Sequence, residues 1–160
     1  MDALTRPISE HLTPAPYAVG PKEPLVNAGR LMDKYGLREL PVRAEGRLVG
    51  LLSDRDLRVV SALTPAPPET LTVDAVMSRD PCTAALDTPL LEVVRAMADR
   101  SADVVVVLDA GRVAGVFTSL EAIRVLSGAL ERTLARPDER VRSARHGHEP
   151  RRATRGRAAR

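Results

Sequence analysis

The chain has 160 residues, 44% of them hydrophobic, and a formal net charge of +3 at pH 7, so it can bury one core or two small fused ones. Because Cys82 is the only cysteine, an internal disulfide and a zinc ribbon are excluded, and no apolar run approaches the roughly 18 residues that would span a bilayer. Aromatic residues make up only 2% of the chain, which argues against a surface that stacks nucleic-acid bases. The N-terminus lacks a basic segment followed by an apolar one, so we expect a cytoplasmic protein.

The first half of the chain predicts alternating helices and strands. In chain order these are a short helix over 8–12, an extended stretch over 17–19, a helix over 24–35, strands over 40–42 and 48–52, and a helix over 54–63. Pro24 suits the first turn of its helix, where a missing N–H costs nothing. Glu45 and Gly46 form the predicted turn between the two strands.

The second half predicts the same elements in the same order. They are a helix that starts behind Pro89, strands over 104–108 and 112–117, and a helix over 119–134. The four consecutive valines of the first strand indicate that it is buried on both faces. Cys82, just ahead of this series, is interpreted as a small buried hydrophobe.

The two halves align without a gap at an offset of 65 residues. Gly50 and Ser53, followed by Asp56, reappear as Gly115 and Thr118, followed by Glu121. Such a repeat sets the architecture before any local assignment is made. The sequence therefore predicts an α/β (α+β) fold of two βαββα units with pseudo-twofold symmetry: repeats over 8–63 and 71–135, and a linker over 64–70.

Residues 136–160 are predicted to be a disordered, arginine-rich tail. The last thirty residues contain ten arginines against four acids, and so few apolar residues cannot offset the chain entropy of folding. We interpret the tail as a solvated extension. The alternative is salt-sensitive attachment to nucleic acid or another polyanion.

The motif at Ser53 and Asp56 has a physical logic of its own. A strand delivers a hydroxyl to a helix N-terminus, where free N–H groups and the helix dipole favour an anion, and a carboxylate one turn later can accept hydrogen bonds from a ribose diol. The alternative is a capping box, in which hydroxyl and carboxylate satisfy backbone N–H groups. We favour ligand contact for Ser53 and Asp56, and the capping box for Thr118 and Glu121.

The duplicated unit, with each copy closing on Gly-x-x-[Ser/Thr]-x-x-[Asp/Glu] ahead of a helix, resembles the CBS domain, and two copies in tandem resemble a Bateman module. The resemblance covers residues 8–130 and is carried most strongly by 36–42 and 50–56. It implies a regulatory protein that binds an adenine-containing ligand such as AMP, ATP, NAD or S-adenosylmethionine in a cleft between the copies, without chemistry of its own.

The resemblance also implies a set of binding residues. The hydroxyls of Ser53 and Thr118 would meet phosphate, and the carboxylates of Asp56 and Glu121 would meet ribose. The remaining candidates are Arg38 and Glu39 near the phosphate, Val19, Leu40 and Pro41 as aliphatic walls around the adenine, Tyr17 as a lid, and Arg55 as a cation found only in the first copy.

The second copy departs from this pattern, because Asp103 and Leu120 stand where the first has Arg38 and Arg55. We therefore expect the first cleft to be the better binding site. No residues suggest a metal site or a catalytic constellation. Our leading hypothesis is a homodimeric regulatory module that signals to an unidentified effector; the alternative is an interaction protein with vestigial clefts that acts through its surface and basic tail.

Overall fold

The computed structural model describes residues 2–15, 17–64 and 70–135. The predicted linker falls mostly, and the arginine-rich tail entirely, outside the described residues. Short 3-10 turns lie at Ile8–Glu10 and Val73–Ala75. The helices and strands of the described residues are α1 Asp2–Thr5, β1 Thr13–Pro14, α2 Leu25–Tyr35, β2 Glu39–Ala44, β3 Arg47–Ser53, α3 Asp54–Leu63, β4 Thr83–Ala85, α4 Leu90–Arg100, β5 Val104–Asp109, β6 Arg112–Thr118 and α5 Ser119–Leu134.

Both predicted hairpins form. β2 pairs antiparallel with β3 and β5 with β6. The connecting turns hold two residues with positive φ, 51° and 79° at Glu45 and Gly46, and 47° and 81° at Ala110 and Gly111. Two consecutive residues of this kind give the turn the twist that two adjacent antiparallel strands require. The α+β fold with two repeated units is confirmed.

The two units are built on the same strand arrangement. In the second, the sheet order is β1-β6-β5-β4, with β4 parallel to β5. In the first, isolated bridges at Val19–Val42 and Ser78–Leu51 flank the β2-β3 hairpin in the corresponding places. β2 and β5 are therefore inner strands with a neighbour on each side, and Val104 to Val107 of β5 are all buried.

The units exchange their leading segments. Residues 8–14 cross to the second unit, where Thr13 pairs with Val116 of β6 and Ile8 packs in the core with Leu90. Residues 73–78 cross to the first unit, where Val73 packs with Leu25 and Ser78 pairs with Leu51. Each core is therefore completed by residues from the other repeat.

Helices α2 and α4 each bury one face. Leu25, Ala28 and Met32 of α2 are buried, and α4 buries its corresponding stripe. Cys82 is 6% exposed, which confirms its interpretation as a buried hydrophobe. No helix in the described part of the chain is long and apolar enough to cross a membrane.

Candidate functional site

A cleft of about 840 Å³ opens where the two repeats meet at the N-termini of α3 and α5. It contains the predicted residues Arg38, Glu39, Ser53, Arg55 and Asp56, together with Thr118 from the second repeat. The chain turns directly from strand into helix at each motif, so both hydroxyls are delivered to a helix N-terminus. The structure thus brings six of the predicted polar residues into one cavity.

Within the described part of the chain, one carboxylate oxygen of the first motif has no donor. Asp56 Oδ2 accepts from the Ser53 backbone N–H at 3.1 Å and from Ser53 Oγ at 2.6 Å, and the Asp56 N–H donates to Ser53 Oγ at 3.1 Å. Ser53 and Asp56 therefore form a complete capping box. Among the described residues none donates to Asp56 Oδ1, so the capping box and a ligand contact are compatible here.

The second motif uses both of its carboxylate oxygens within the protein. Glu121 Oε2 accepts from the Thr118 N–H at 2.6 Å and from Thr118 Oγ1 at 3.0 Å. The hydroxyl of Thr13, on the exchanged strand β1, donates to Glu121 Oε1. The predicted capping box is confirmed, and Glu121, unlike Asp56, does not line the cleft.

Charged side chains of both signs line the cleft beside Ser53. The Asp54 N–H donates a hydrogen bond to the backbone carbonyl of Arg38 at 2.8 Å. This bond links the start of β2 to the start of α3. Partial burial raises the pKa of Glu39, and the neighbouring Arg38 opposes that rise. Further acids add to it, namely Asp103, Asp54 and Glu121.

The predicted aliphatic walls need correction. Leu40 and Pro41 are fully buried and Val19 is 4% exposed, and none of them lines the cleft. The reason is that Val19 and Leu40 pack in the core of the first unit, and Pro41 is buried next to Leu40 on β2. The apolar lining comes instead from other residues, namely Leu37, Leu51, Pro81, Cys82 and Val104.

Tyr17 is not a lid of this cleft. Its ring stacks on that of Tyr35 at the end of α2, with centroids 4.1 Å apart, and a hydrogen bond with Tyr35 raises the pKa of its hydroxyl. At the offset of 65, Tyr17 and Tyr35 correspond to Cys82 and Arg100, which do line the cleft. The two positions are therefore equivalent in sequence but differ in their surroundings.

Three cleft residues were not anticipated from the sequence. Arg58 pairs with Asp54 at 2.8 Å, and Arg100 donates to the Asp80 carboxylate at 2.6 Å. Arg58 lies one turn beyond Arg55 on α3, so helical periodicity could have identified it. Arg100 and Asp80 belong to the second repeat, and only the packing of the two repeats brings them into this cleft. In the portion of the chain that the structure describes, no cluster of three or more potential ligands could hold a metal.

Comparison with known proteins agrees with the duplicated fold. The family model of the CBS domain matches twice, over residues 8–62 and 73–128. No curated protein matches the chain.

Several solved structures are similar to it. An uncharacterized conserved protein from Pyrococcus horikoshii is 28% identical, with 84% of this chain and 97% of that one covered and a TM-score of 0.62. The CBS domain pair of protein MJ0100, in complex with 5′-methylthioadenosine and S-adenosyl-L-methionine, is 25% identical over 77% of this chain and 97% of its own, with a TM-score of 0.67. The CBS domain of a membrane protein from Sphaerobacter thermophilus shares the fold at 23% identity and a TM-score of 0.67, with 78% and 90% covered.

Proposed function

The chain belongs to the CBS domain family, and on that premise we propose that it is a regulatory module, not an enzyme, which binds one adenine nucleotide or related adenosyl ligand in the cleft beside Ser53 and Asp56. AMP, ATP, NAD and S-adenosylmethionine are the candidate ligands. The binding of adenosyl compounds by the similar MJ0100 domain pair supports this class of ligand.

The observation that carries the proposal is that Asp56 Oδ1 accepts no hydrogen bond from the residues that the structure describes. A ribose diol offers two O–H donors, and a carboxylate is a strong acceptor for them. Ser53 and the N-terminus of α3 lie one turn away, where an anionic phosphate is favoured. The guanidinium groups of Arg38 and Arg55 line the same cleft and would add positive charge around that phosphate.

The second motif is a poorer site for the same ligand. Thr13 occupies the Glu121 oxygen that corresponds to Asp56 Oδ1, so a ribose would have to displace a hydrogen bond within the protein. Tyr17 and Tyr35 stack at positions that correspond to cleft residues of the first motif. We therefore propose a stoichiometry of one ligand per chain.

Signalling to an effector follows from the position of the cleft. Its lining includes Ser53 from the first repeat and Asp103 and Thr118 from the second, so a ligand there would contact both. A ligand shifts a conformational equilibrium only through its differential affinity for the two states. We propose that nucleotide binding favours one arrangement of the repeats and that an effector recognises it.

Titration calorimetry with the four ligands tests the proposal on a matched pair of variants. Asp56→Asn keeps an oxygen to accept the Ser53 N–H but presents an amide donor to the ribose, and Glu121→Gln makes the same change at the second motif. We expect Asp56→Asn to lose the equivalent of about 1.5–3 kcal/mol, or roughly ten- to a hundredfold in affinity, and Glu121→Gln to bind like the wild type.

Two outcomes would contradict the proposal in different ways. If Glu121→Gln abolishes binding and Asp56→Asn does not, the ligand occupies the other cleft. If none of the four ligands binds the wild type or raises its melting temperature, the regulatory function fails. The interaction protein with vestigial clefts would then be the better account, and the exposed apolar residues of α5, among them Ile123 and Leu130, favour it.

A further inference from the structure

A second cavity, of about 760 Å³, lies between the turns of the two hairpins. Strands β3 and β6 contact each other, and both turns line this space, over residues 45–47 in the first repeat and 110–112 in the second. Each strand has seven residues from its turn to the hydroxyl of its motif, so at about 3.3 Å per residue the turns are roughly 20 Å from those hydroxyls. The cavity shares Asp80 and Pro81 with the ligand cleft but contains neither motif.

This turn cavity collects positive charge. Arg47 and Arg112 follow the two turns directly, and Arg79 is the third arginine of the lining. None of the three forms an ion pair with the residues that the structure describes. Of the two acids in the lining, Asp80 is already paired with an arginine outside the cavity, which leaves Glu45. The ligand cleft, by contrast, contains more acidic residues than arginines.

Two of the three arginines are related by the internal repeat. Arg47 and Arg112 correspond at the offset of 65, so the pseudo-twofold axis relates them across the cavity. A guanidinium group pairs with phosphate through two parallel N–H bonds, and a diphosphate offers two equivalent phosphates. We propose that the turn cavity binds a diphosphate group, with one phosphate held by Arg47 and the other by Arg112. The inference goes beyond the proposed function, because it concerns a different cavity and a ligand that needs no adenine.

Arg79 adds a third cation that the repeat does not require. Its Nη2 donates to the backbone carbonyl of Asp74 at 3.0 Å. This bond restrains the side chain without neutralising it, because a carbonyl is an uncharged acceptor. Arg79 corresponds to Pro14 in the first repeat, so the positive charge here is a feature of this cavity and is not a consequence of the duplicated fold.

Titration calorimetry of the full chain with inorganic pyrophosphate, at constant ionic strength, tests the site. Arg47→Gln and Arg112→Gln should each weaken binding by roughly tenfold, because each removes charged hydrogen bonds to one phosphate. Arg95→Gln is the matched control, since Arg95 is an exposed arginine of α4 that lines neither the turn cavity nor the ligand cleft. It should bind pyrophosphate like the wild type. Circular dichroism should be unchanged in the three variants, because all three side chains are exposed.

The acid of the first turn provides a test in the opposite direction. Glu45 corresponds to Ala110, and both adopt positive φ, so the turn accepts a glutamate at this position. Glu45→Gln should tighten pyrophosphate binding severalfold, because it removes the acid that opposes the arginines. Ala110→Glu should weaken binding by a similar factor, because it adds a second acid.

Three results would overturn the proposal. The first is a wild type that does not bind pyrophosphate, and the second is an Arg95→Gln variant that loses as much affinity as Arg47→Gln. The third is a loss of binding in Arg55→Gln, at the ligand cleft, while Arg47→Gln binds normally, because the anion would then occupy that cleft. Arg47→Gln should retain the affinity of the wild type for an adenosyl ligand, so failure of the turn cavity and failure of the proposed function are distinguishable.

Discussion

Gly50 and Gly115 lie where the exchanged segments cross the sheets, and we predict that alanine at either position destabilises the protein. A Cβ on Gly50 would lie 2.6 Å from Met77 Sδ and 2.8 Å from the Ser78 carbonyl oxygen. A Cβ on Gly115 would meet the Leu12 side chain and lie 2.5 Å from the Thr13 carbonyl oxygen. Both approaches are too close, so the crossing backbone would have to move.

The cost can be judged from what holds that backbone in place. The Ser78 carbonyl accepts the Leu51 N–H at 2.9 Å, and the Ser78 N–H donates to the Leu51 carbonyl at 2.9 Å, so a shift strains two hydrogen bonds as well as the packing of Met77. Overpacking of this kind costs about 1–3 kcal/mol. For a chain of this size that lowers the melting temperature by roughly 2–4 °C per kcal/mol.

Gly29 is the matched control, because alanine there should have the opposite effect. A Cβ on Gly29 would lie 3.8 Å from the nearest side-chain atom, on Leu57, and the residue lies inside α2, where alanine is preferred over glycine by about 1 kcal/mol. Urea denaturation of the three variants measures these changes directly. If Gly50→Ala and Gly115→Ala are as stable as the wild type while Gly29→Ala gains stability, the segments do not cross at the glycines and our account of the exchange is wrong.

Three further predictions concern single side chains. Because burial raises the pKa of Glu39, its ionised form is disfavoured in the folded state. Glu39→Gln should therefore match the wild type at low pH and become the more stable protein as the pH rises through the raised pKa, above the usual value of about 4.3. Urea denaturation across this pH range measures the difference. Thr13→Val removes the donor to Glu121 and should lower the free energy of unfolding by about 1 kcal/mol. Ser78→Ala, at the corresponding position, should have a smaller effect. Equal effects would contradict the asymmetry between the two motifs. Burial also raises the pKa of the Cys82 thiol, so its reaction with a maleimide at neutral pH should be slow, and slower still with nucleotide in the cleft that Cys82 lines; faster labelling with nucleotide present would argue against that site.

The exchange of segments also explains why the two motifs differ more than their sequences suggest. Ser53 and Thr118 cap their helices in the same way, and each motif lies beside a hydroxyl residue of a crossing segment, Ser78 in one case and Thr13 in the other. The longer side chain of Glu121 accepts the Thr13 hydroxyl, whereas Asp56 has no such donor among the described residues. The two motifs therefore differ by one methylene group in the acidic side chain: both carboxylate oxygens of Glu121 accept hydrogen bonds within the protein, whereas Asp56 Oδ1 accepts none from the described residues.

Much of the local structure could be predicted from the sequence because short-range interactions determine it. Helices α3 and α5 begin at Ser53 and Thr118 because a hydroxyl and a carboxylate three residues apart satisfy the first N–H groups of a helix. The hairpins turn at Gly46 and Gly111 because glycine adopts positive φ at little cost. The offset of 65 then established that the chain holds two equivalent units and identified the polar residues of the candidate site.

Only the tertiary structure decided which unit each segment completes. Ile8 and Val73 occupy equivalent positions and are fully buried, and their apolar character does not indicate which core each one joins, because hydrophobic burial is not directional. The sequence was also insufficient to separate Pro41, which is buried on the inner strand β2, from cleft residues such as Arg100, which is distant in sequence from the first motif. A repeat establishes which residues are equivalent, but contacts between units depend on the path of the chain through space, and that path is set by how the two cores pack together.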